Sequence, residues 1–159
     1  MDSVFIETQK FNKWWHYILM GFPLTATIVT TYFTLKTPQA NPTSLYISTG
    51  LAALVTVWLF TIKLKTTIDN SKIIAHFFGV PFCKREILWS DIQTIDVIEY
   101  SPLMDYGGWG IRYSSSSGTC YNVAGKTGIK IIKKDGTAFL VGTQQKEEAI
   151  QIIKHYFKK

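Results

Sequence analysis

Two long runs of apolar residues dominate the first third of the chain. The first extends from Trp14 to Leu35 and the second from Ser44 to Ile62, and neither contains Asp, Glu, Lys or Arg. As α-helices they would measure about 33 Å and about 28 Å, which is close to the ~30 Å hydrocarbon thickness of a bilayer. The connection between them is short and contains Pro38 and Pro42. The pattern therefore predicts a transmembrane α-helical hairpin with spans 14–35 and 44–62.

Two other kinds of segment also produce apolar runs. A cleaved signal peptide has an apolar centre of only about 7–15 residues followed by a small-residue cleavage site. The first run here is longer, and no such site follows it. A surface helix of a small soluble domain needs a polar face, whereas neither run carries a charged residue on any side. Both comparisons favour the membrane hairpin.

The lysines beside the two runs predict how the hairpin is oriented. Lys10 and Lys13 precede the first run and Lys63 and Lys65 follow the second, while the connection contains only Lys36. Positively charged residues accumulate on the cytoplasmic side of membrane proteins. We therefore expect a multi-pass protein of the cell membrane with both termini in the cytoplasm. The amphiphilic segment 1–13 is expected to lie along the membrane interface.

The hydrophobic period changes from helical to two after Lys63. Alternating segments separated by turn residues predict about seven short antiparallel strands. A hairpin is predicted at Asp69–Ser71, a second at the four serines 114–117, and a third at Asp135-Gly136, a dipeptide typical of tight turns. The last segment, residues 144–159, has the pattern of an amphipathic helix with Thr143 as N-cap. The seven longer segments are 64–68, 72–78, 84–88, 92–100, 119–124, 128–134 and 137–143, and the short segment 111–113 precedes the four serines. The last two of the seven form the Asp135-Gly136 hairpin.

Short antiparallel strands closed by one C-terminal helix follow the element order of a pleckstrin-homology (PH)-like barrel. The chain also resembles bacterial two-helix membrane proteins that carry a PH-like domain. The resemblance rests on FIETQKF, LKTTID, EYSP with DYGGWGIR, and GTQQ, and it covers essentially the whole chain. It implies an α+β membrane protein in which a transmembrane α-hairpin (1–65) precedes a PH-like antiparallel β-barrel or sandwich capped by a helix (66–159). It implies bacterial origin but no activity.

Composition excludes several classes of function. Of the net charge of +6, residues 66–159 carry only +3. This segment has no dense basic stripe with interleaved exposed aromatic residues of the kind that indicates nucleic-acid binding. Cys83 and Cys120 lack the spacing of a zinc site. His76 and His155 are the histidines of the soluble part, and neither stands in a motif with a nucleophile. We therefore expect no enzyme activity, no cofactor and no metal.

The best candidate for a binding site is the glycine-rich segment 100–112. Its glycines permit positive φ and close approach of the backbone, and its aromatic residues offer large amphipathic surfaces. The structural alternative is a wide turn in which Trp109 covers one end of the barrel and Arg112 ties the loop down, with Asp105 as a possible ion partner. The candidate binding residues are Asp105, Tyr106, Gly107, Gly108, Trp109 and Arg112.

Three functions remain open from the sequence. The first is a membrane-anchored adaptor whose soluble domain binds a protein partner or another copy of itself. The second is recognition of anionic lipid headgroups by a patch drawn from Lys84, Arg85, Lys126, Lys133 and Lys134. The third is an accessory subunit of a membrane enzyme or transporter. Each of them has the lipid bilayer as a partner, and none requires nucleic acid or a small-molecule substrate.

Overall fold

The computed structural model describes residues 4–37 and 41–157, and the chain forms two compact units. One unit is Phe11–Ile62, and the other combines Met1–Lys10 with Lys63–Lys159. The architecture is α+β. The helices are α1 (Trp14–Thr34), α2 (Pro42–Thr61), α3 (Pro102–Tyr106) and α4 (Lys146–Tyr156), and the strands are β1 (Phe5–Lys10), β2 (Lys63–Ile68), β3 (Lys72–Phe78), β4 (Lys84–Leu88), β5 (Ile92–Glu99), β6 (Gly110–Ser114), β7 (Gly118–Asn122), β8 (Thr127–Lys133) and β9 (Ala138–Gly142).

The helical unit agrees with the predicted spans to within two residues. Both helices are long and apolar enough to cross a membrane, and few of their residues are buried inside the protein. Threonine hydroxyls in these helices bond both to the backbone of their own helix and to the other helix. Thr27 donates to the carbonyl of Pro23 at 2.7 Å, whereas Thr31 and Thr49 join α1 to α2 through their hydroxyls at 2.9 Å. Part of the connection, residues 38–40, lies outside the described residues.

The strands of the other unit form two sheets. The first has the order β1-β2-β3-β4 and the second the order β5-β8-β9-β7-β6. Every pair of neighbours is antiparallel except β7 and β9, which are parallel. Among the described residues no strand pairing joins the two sheets, so of the expected barrel or sandwich the closed barrel is not formed, and the parallel β7–β9 pair departs from the expected antiparallel arrangement. The unit has nine described strands in two open sheets.

The core lies between the inner faces of the two sheets. The ring of Phe77 on β3 meets that of Tyr121 on β7 edge to face, with centroids 5.4 Å apart. Helix α4 contacts β5, β1 and β8 and buries its apolar side against them. Fully buried aliphatic side chains fill the interior: Leu64, Ile68, Ile73, Ile129, Ile131, Leu140 and Val141. The predicted role of α4 as a helix packed on the sheets is confirmed.

The segment before α1 differs from its prediction. Residues 5–10 form strand β1 rather than a segment along the membrane interface, and β1 pairs with β2 from Phe5 opposite Ile68 to Lys10 opposite Lys63. Its burial alternates, and its inward side chains are Phe5, Glu7 and Gln9. The structural boundaries consequently fall at 10/11 and 62/63, because the helical hairpin is inserted between two paired strands.

Glu7 fastens β1 to the junction between β9 and α4. Its carboxylate is only 5% exposed and accepts hydrogen bonds from the Thr143 hydroxyl at 2.6 Å and from the backbone N–H of Gln144 at 2.7 Å. Gln9 donates from its side chain to the carbonyl of Gly142 at 2.6 Å. Thr143 is therefore not the helix N-cap that the sequence predicted. The N-cap position is occupied by Gln145, and the Thr143 hydroxyl accepts from its N–H while donating to Glu7.

The inserted hairpin should be removable. Because Lys10 lies opposite Lys63, replacing residues 11–62 by Asn-Gly would close β1 and β2 with a two-residue turn. We expect this fused chain to be soluble, to show β-rich circular dichroism and to unfold cooperatively. Residues 63–159 alone should fail to do so, since β2 would lose its neighbour and the junction would lose Glu7. Equal melting of the two chains would show that β1 is dispensable.

Glu7 should also make stability depend on pH. Burial raises the pKa of the Glu7 carboxyl above its usual value near 4.5, outweighing the hydrogen bonds from Thr143, Gln144 and Gln9 that lower it, and Glu148 adds to the increase. The folded state then binds a proton more readily than the unfolded state. The contribution of Glu7 to the free energy of unfolding therefore falls as pH rises from the usual value through the raised pKa, and is constant above it.

The comparison is with Glu7→Gln, which does not ionise and keeps an oxygen for the N–H of Gln144. Denaturant unfolding in detergent, followed by near-UV circular dichroism, should show wild type losing stability relative to this variant across that pH range. Glu7→Ala should be less stable than Glu7→Gln by about 2–3 kcal/mol at every pH, because it leaves buried donors without an acceptor and neither variant ionises at this position. If the difference in free energy of unfolding between wild type and Glu7→Gln does not change with pH, the raised pKa of Glu7 is contradicted.

Candidate functional site

The candidate segment begins with a short helix rather than an open loop. Ser101 is the N-cap of α3, and its hydroxyl accepts from the N–H of Met104 at 3.4 Å. Asp105 completes the reciprocal arrangement, because its carboxylate accepts from the N–H of Ser101 at 2.7 Å. Such a pair satisfies two free donors at a helix start. Asp105 therefore has a structural partner within its own helix.

Two glycines end this helix. Gly107 has φ +70°, and the N–H groups of Gly107 and Gly108 donate to the carbonyls of Leu103 and Pro102 at 2.9 and 2.8 Å. This is the left-handed termination that glycine favours. Gly108 has φ +129°, and a Cβ there would lie 3.6 Å from Nη2 of Arg112. The predicted need for positive φ at these positions is confirmed.

Tyr106 and its neighbours anchor the helix in the core. Tyr106 is 6% exposed, donates its hydroxyl to the carbonyl of Ser117 at 3.1 Å, and packs edge to face on Tyr100. These two tyrosines form a buried cluster with Cys120 and Leu140. The amide of Asn122 donates to the Tyr100 hydroxyl at 2.9 Å. Tyr106 is therefore part of the rigid support of the segment and is not accessible as a binding residue.

Burial also keeps the titratable groups of this cluster neutral. It raises the pKa of the Tyr106 hydroxyl and of the Cys120 thiol to about 12 each. The pKa of Tyr100 is raised as well, chiefly by burial. A thiol with so high a pKa is a poor nucleophile at neutral pH. Within residues 4–37 and 41–157, no group of three or more His, Cys, Asp or Glu side chains is arranged to hold a metal ion.

Trp109 and Arg112 lie at the turn into β6. Trp109 is half-buried, and its carbonyl accepts from Nε of Arg112 at 2.9 Å. Arg112 thus ties the turn down through the backbone, as the structural alternative predicted. Among the described residues no ion pair joins Arg112 to Asp105, so the predicted possibility of that pair is not realised.

The accessible surface of the segment consists of side chains that the sequence argument did not select. Leu103 and Met104 on α3 are 60% and 86% exposed, and Ile111 and Tyr113 on β6 are 38% and 77% exposed. Helix α3 covers the face of the second sheet that carries Cys120 and Arg112, whereas Ile111 and Tyr113 point to the opposite face of β6. The four exposed apolar side chains therefore flank strand β6 on both faces, and we call them the α3–β6 surface. The alternation of Ile111 and Tyr113 around Arg112 was the available signal, because alternate residues of a strand share a face.

The α3–β6 surface includes a free strand edge. Among the described strands, β6 is the last of the second sheet and pairs with β7 alone. An edge strand presents backbone N–H and C=O groups that another extended chain can bond. The buried Tyr100–Tyr106 cluster supports this surface, and exposed apolar side chains lie beside the open edge of β6. These properties suit a docking surface for a polypeptide.

Trp109→Ala should distinguish support from docking. Because the side chain is half-buried, we expect a loss of about 2 kcal/mol, roughly half the cost of truncating a fully buried Trp. Gly108→Ala is the folding control and should also destabilise the protein, since alanine is strained at φ +129°. Thermal unfolding of the full chain in detergent measures both. An unchanged melting temperature for Trp109→Ala would mean that this side chain contributes no packing.

Comparison of the chain with protein-family models and with curated proteins finds no match. Function is therefore inferred from the physical properties of the molecule. The relevant properties are two apolar helices of membrane-spanning length, a rigidly supported apolar surface and a free strand edge beside it.

Proposed function

We propose that this protein is a non-catalytic binding module anchored in the cell membrane by α1 and α2. In this proposal the two-sheet unit is a PH-like domain on the cytoplasmic side, and it binds a protein segment at the α3–β6 surface. The segment comes from a protein partner or from a second copy of the chain.

The length and exposure of the two helices support the membrane anchor. Large apolar side chains on α1 and α2 are exposed along both helices, including Phe22 at 67% and Leu54 at 70%. Exposed apolar surface on this scale is unfavourable in water and favourable in a bilayer. The cytoplasmic placement follows from the lysines: Lys10, Lys13, Lys63 and Lys65 flank the helices, against Lys36 in their connection.

The exposure of Leu103, Met104 and Tyr113 beside a free strand edge is the observation that carries the binding function. These side chains project from α3 and β6, which the Tyr100–Tyr106 cluster and the helix caps hold in place. Extended peptides bind sheet edges by adding a strand, and pockets or patches for alternate side chains then supply specificity. Tyr113 is a suitable anchor because exposed tyrosines contribute strongly to interfaces.

The arrangement of the basic side chains favours protein binding over headgroup recognition by the five-residue basic patch. Of its residues, Lys84 pairs with Glu86, and Lys133 pairs with Asp135 at 2.7 Å. Those pairs reduce the positive charge that a multivalent phosphate would meet. An accessory role in a membrane enzyme or transporter remains a special case of the proposal, in which the segment bound at the α3–β6 surface belongs to a neighbouring subunit.

Site-specific photo-crosslinking tests the proposal in native membranes. A benzophenone amino acid at Tyr113 should form an adduct after illumination, because β6 holds this position against the partner. The same group at Ser90, which is exposed in the turn between β4 and β5, is the matched control and should form none. An adduct at twice the mass of the chain identifies a second copy, and any other discrete mass identifies a partner protein.

A second variant tests whether the exposed apolar side chains of α3 contribute to binding of the partner at β6. Met104→Asp places a charge on the exposed side of α3 and should reduce the Tyr113 adduct by at least tenfold, which corresponds to about 1.4 kcal/mol. Its melting temperature should be unchanged, since Met104 is 86% exposed. Equal crosslinking from positions 113 and 90 would refute the docking surface.

A further inference from the structure

The first sheet has one end at which the chain passes to and from the helices. Lys10 is the last residue of β1 and lies opposite Lys63, the first residue of β2, and Lys63 lies in turn opposite Phe78 at the end of β3. The turn from β3 to β4, residues 79–83, therefore lies at this same end. If α1 and α2 span a bilayer, this end of the sheet lies close to its surface, because three residues separate Lys10 from α1 and one residue separates Lys63 from α2.

The turn at this end carries an aromatic side chain that makes no contribution to the core. Phe82 is fully exposed. Its φ is +60°, and among the described non-glycine residues no other has a positive φ. A bulky side chain in this region of backbone conformation is strained, and such strain persists where it serves a function. Phe78 beside the turn is also exposed, and the ammonium of Lys63 lies 5.4 Å from the centre of its ring.

The surroundings of the turn are basic. On the outward face of the sheet the residues nearest this end include Lys10, Lys63, Lys65 and His76, whereas Glu7 on β1 points inward. No acidic side chain in the described part of the chain pairs with Lys10, Lys63 or Lys65. The outward face of the sheet is therefore positively charged at this end. An anionic lipid surface is complementary to it.

We propose that the β3–β4 turn is a second membrane contact, in which Phe82 inserts into the interfacial layer of the bilayer that holds α1 and α2. Aromatic side chains prefer this layer, and segments with apolar and basic residues together lie about 5–10 Å into it. Lys10, Lys63 and Lys65 would contact anionic headgroups around the turn. The contact would fix the orientation of the β-sheet unit on the membrane. This inference rests on the membrane anchor of the proposed function but not on binding at the α3–β6 surface.

Fluorescence quenching by lipid tests the insertion in the full-length protein. The probe is an environment-sensitive fluorophore on Phe82→Cys in a Cys83→Ser background, because Cys120 is completely buried and does not compete for label. The matched control is Asn70→Cys in the same background, exposed in the β2–β3 turn at the opposite end of the same sheet. Both proteins are reconstituted into vesicles of phosphatidylcholine and phosphatidylglycerol that contain a lipid with a quencher near the headgroup.

We expect quenching at position 82 to exceed that at position 70 several-fold. Quenching at 82 should decrease when phosphatidylglycerol is omitted, since the lysines then lose their anionic partners. Equal quenching at 82 and 70 in protein that floats with the vesicles would overturn the inference and leave the anchor intact. Protein that does not float would overturn the anchor itself. Equal quenching at position 82 with and without phosphatidylglycerol would show that the lysines do not contribute to the proposed membrane contact.

Discussion

The pairing of β1 with β2 is the interaction on which the organisation of the molecule depends. It aligns the last residue before the helical segment with the first residue after it, Lys10 opposite Lys63. The helical hairpin is therefore an insertion within a β-hairpin, and the two units do not simply follow one another along the chain. Hydrogen bonds that Glu7 accepts and one that Gln9 donates then connect this β-hairpin to the junction between β9 and α4, near the other end of the sequence. The first and last elements of the β-sheet unit are joined in this way.

Sequence patterns predicted the local elements well and the long-range pairing poorly. The two helices, the hairpins at Asp69–Ser71 and Asp135-Gly136, and α4 depend on nearby residues, and all of them are present. Strand β1 was missed because its buried face carries the carboxylate of Glu7 and the amide of Gln9, whereas the apolar Ile6 is on the exposed face. A buried glutamate can be predicted only when its hydrogen-bond donors are known. The donors to Glu7 are Thr143 and Gln144, which lie far away in the sequence. The parallel pairing of β7 with β9 is likewise a non-local feature.

The candidate segment shows the same division. Its glycines were recognised because positive φ is a local requirement, and Gly107 and Gly108 have it. Its aromatic residues were assigned less well, because amphipathic side chains serve cores and interfaces equally. Burial decided between these uses: Tyr106 supports the segment from inside, whereas Tyr113 is exposed at the strand edge. Asp105 and Arg112 have backbone partners within the segment, which hold its shape. The exposed members of the α3–β6 surface became apparent only when α3 and β6 were placed side by side.

The position of β1 also determines the order in which the protein can be assembled during synthesis. The ribosome completes β1 first, but its neighbour β2 emerges only after both apolar helices have been made. Throughout that interval β1 has no partner strand, and Glu7 has none of its donors, which are contributed by residues 143 and 144. The first sheet therefore forms only after both helices have been made. In a protein anchored as proposed, chain order alone would then let membrane insertion precede completion of the β-sheet unit.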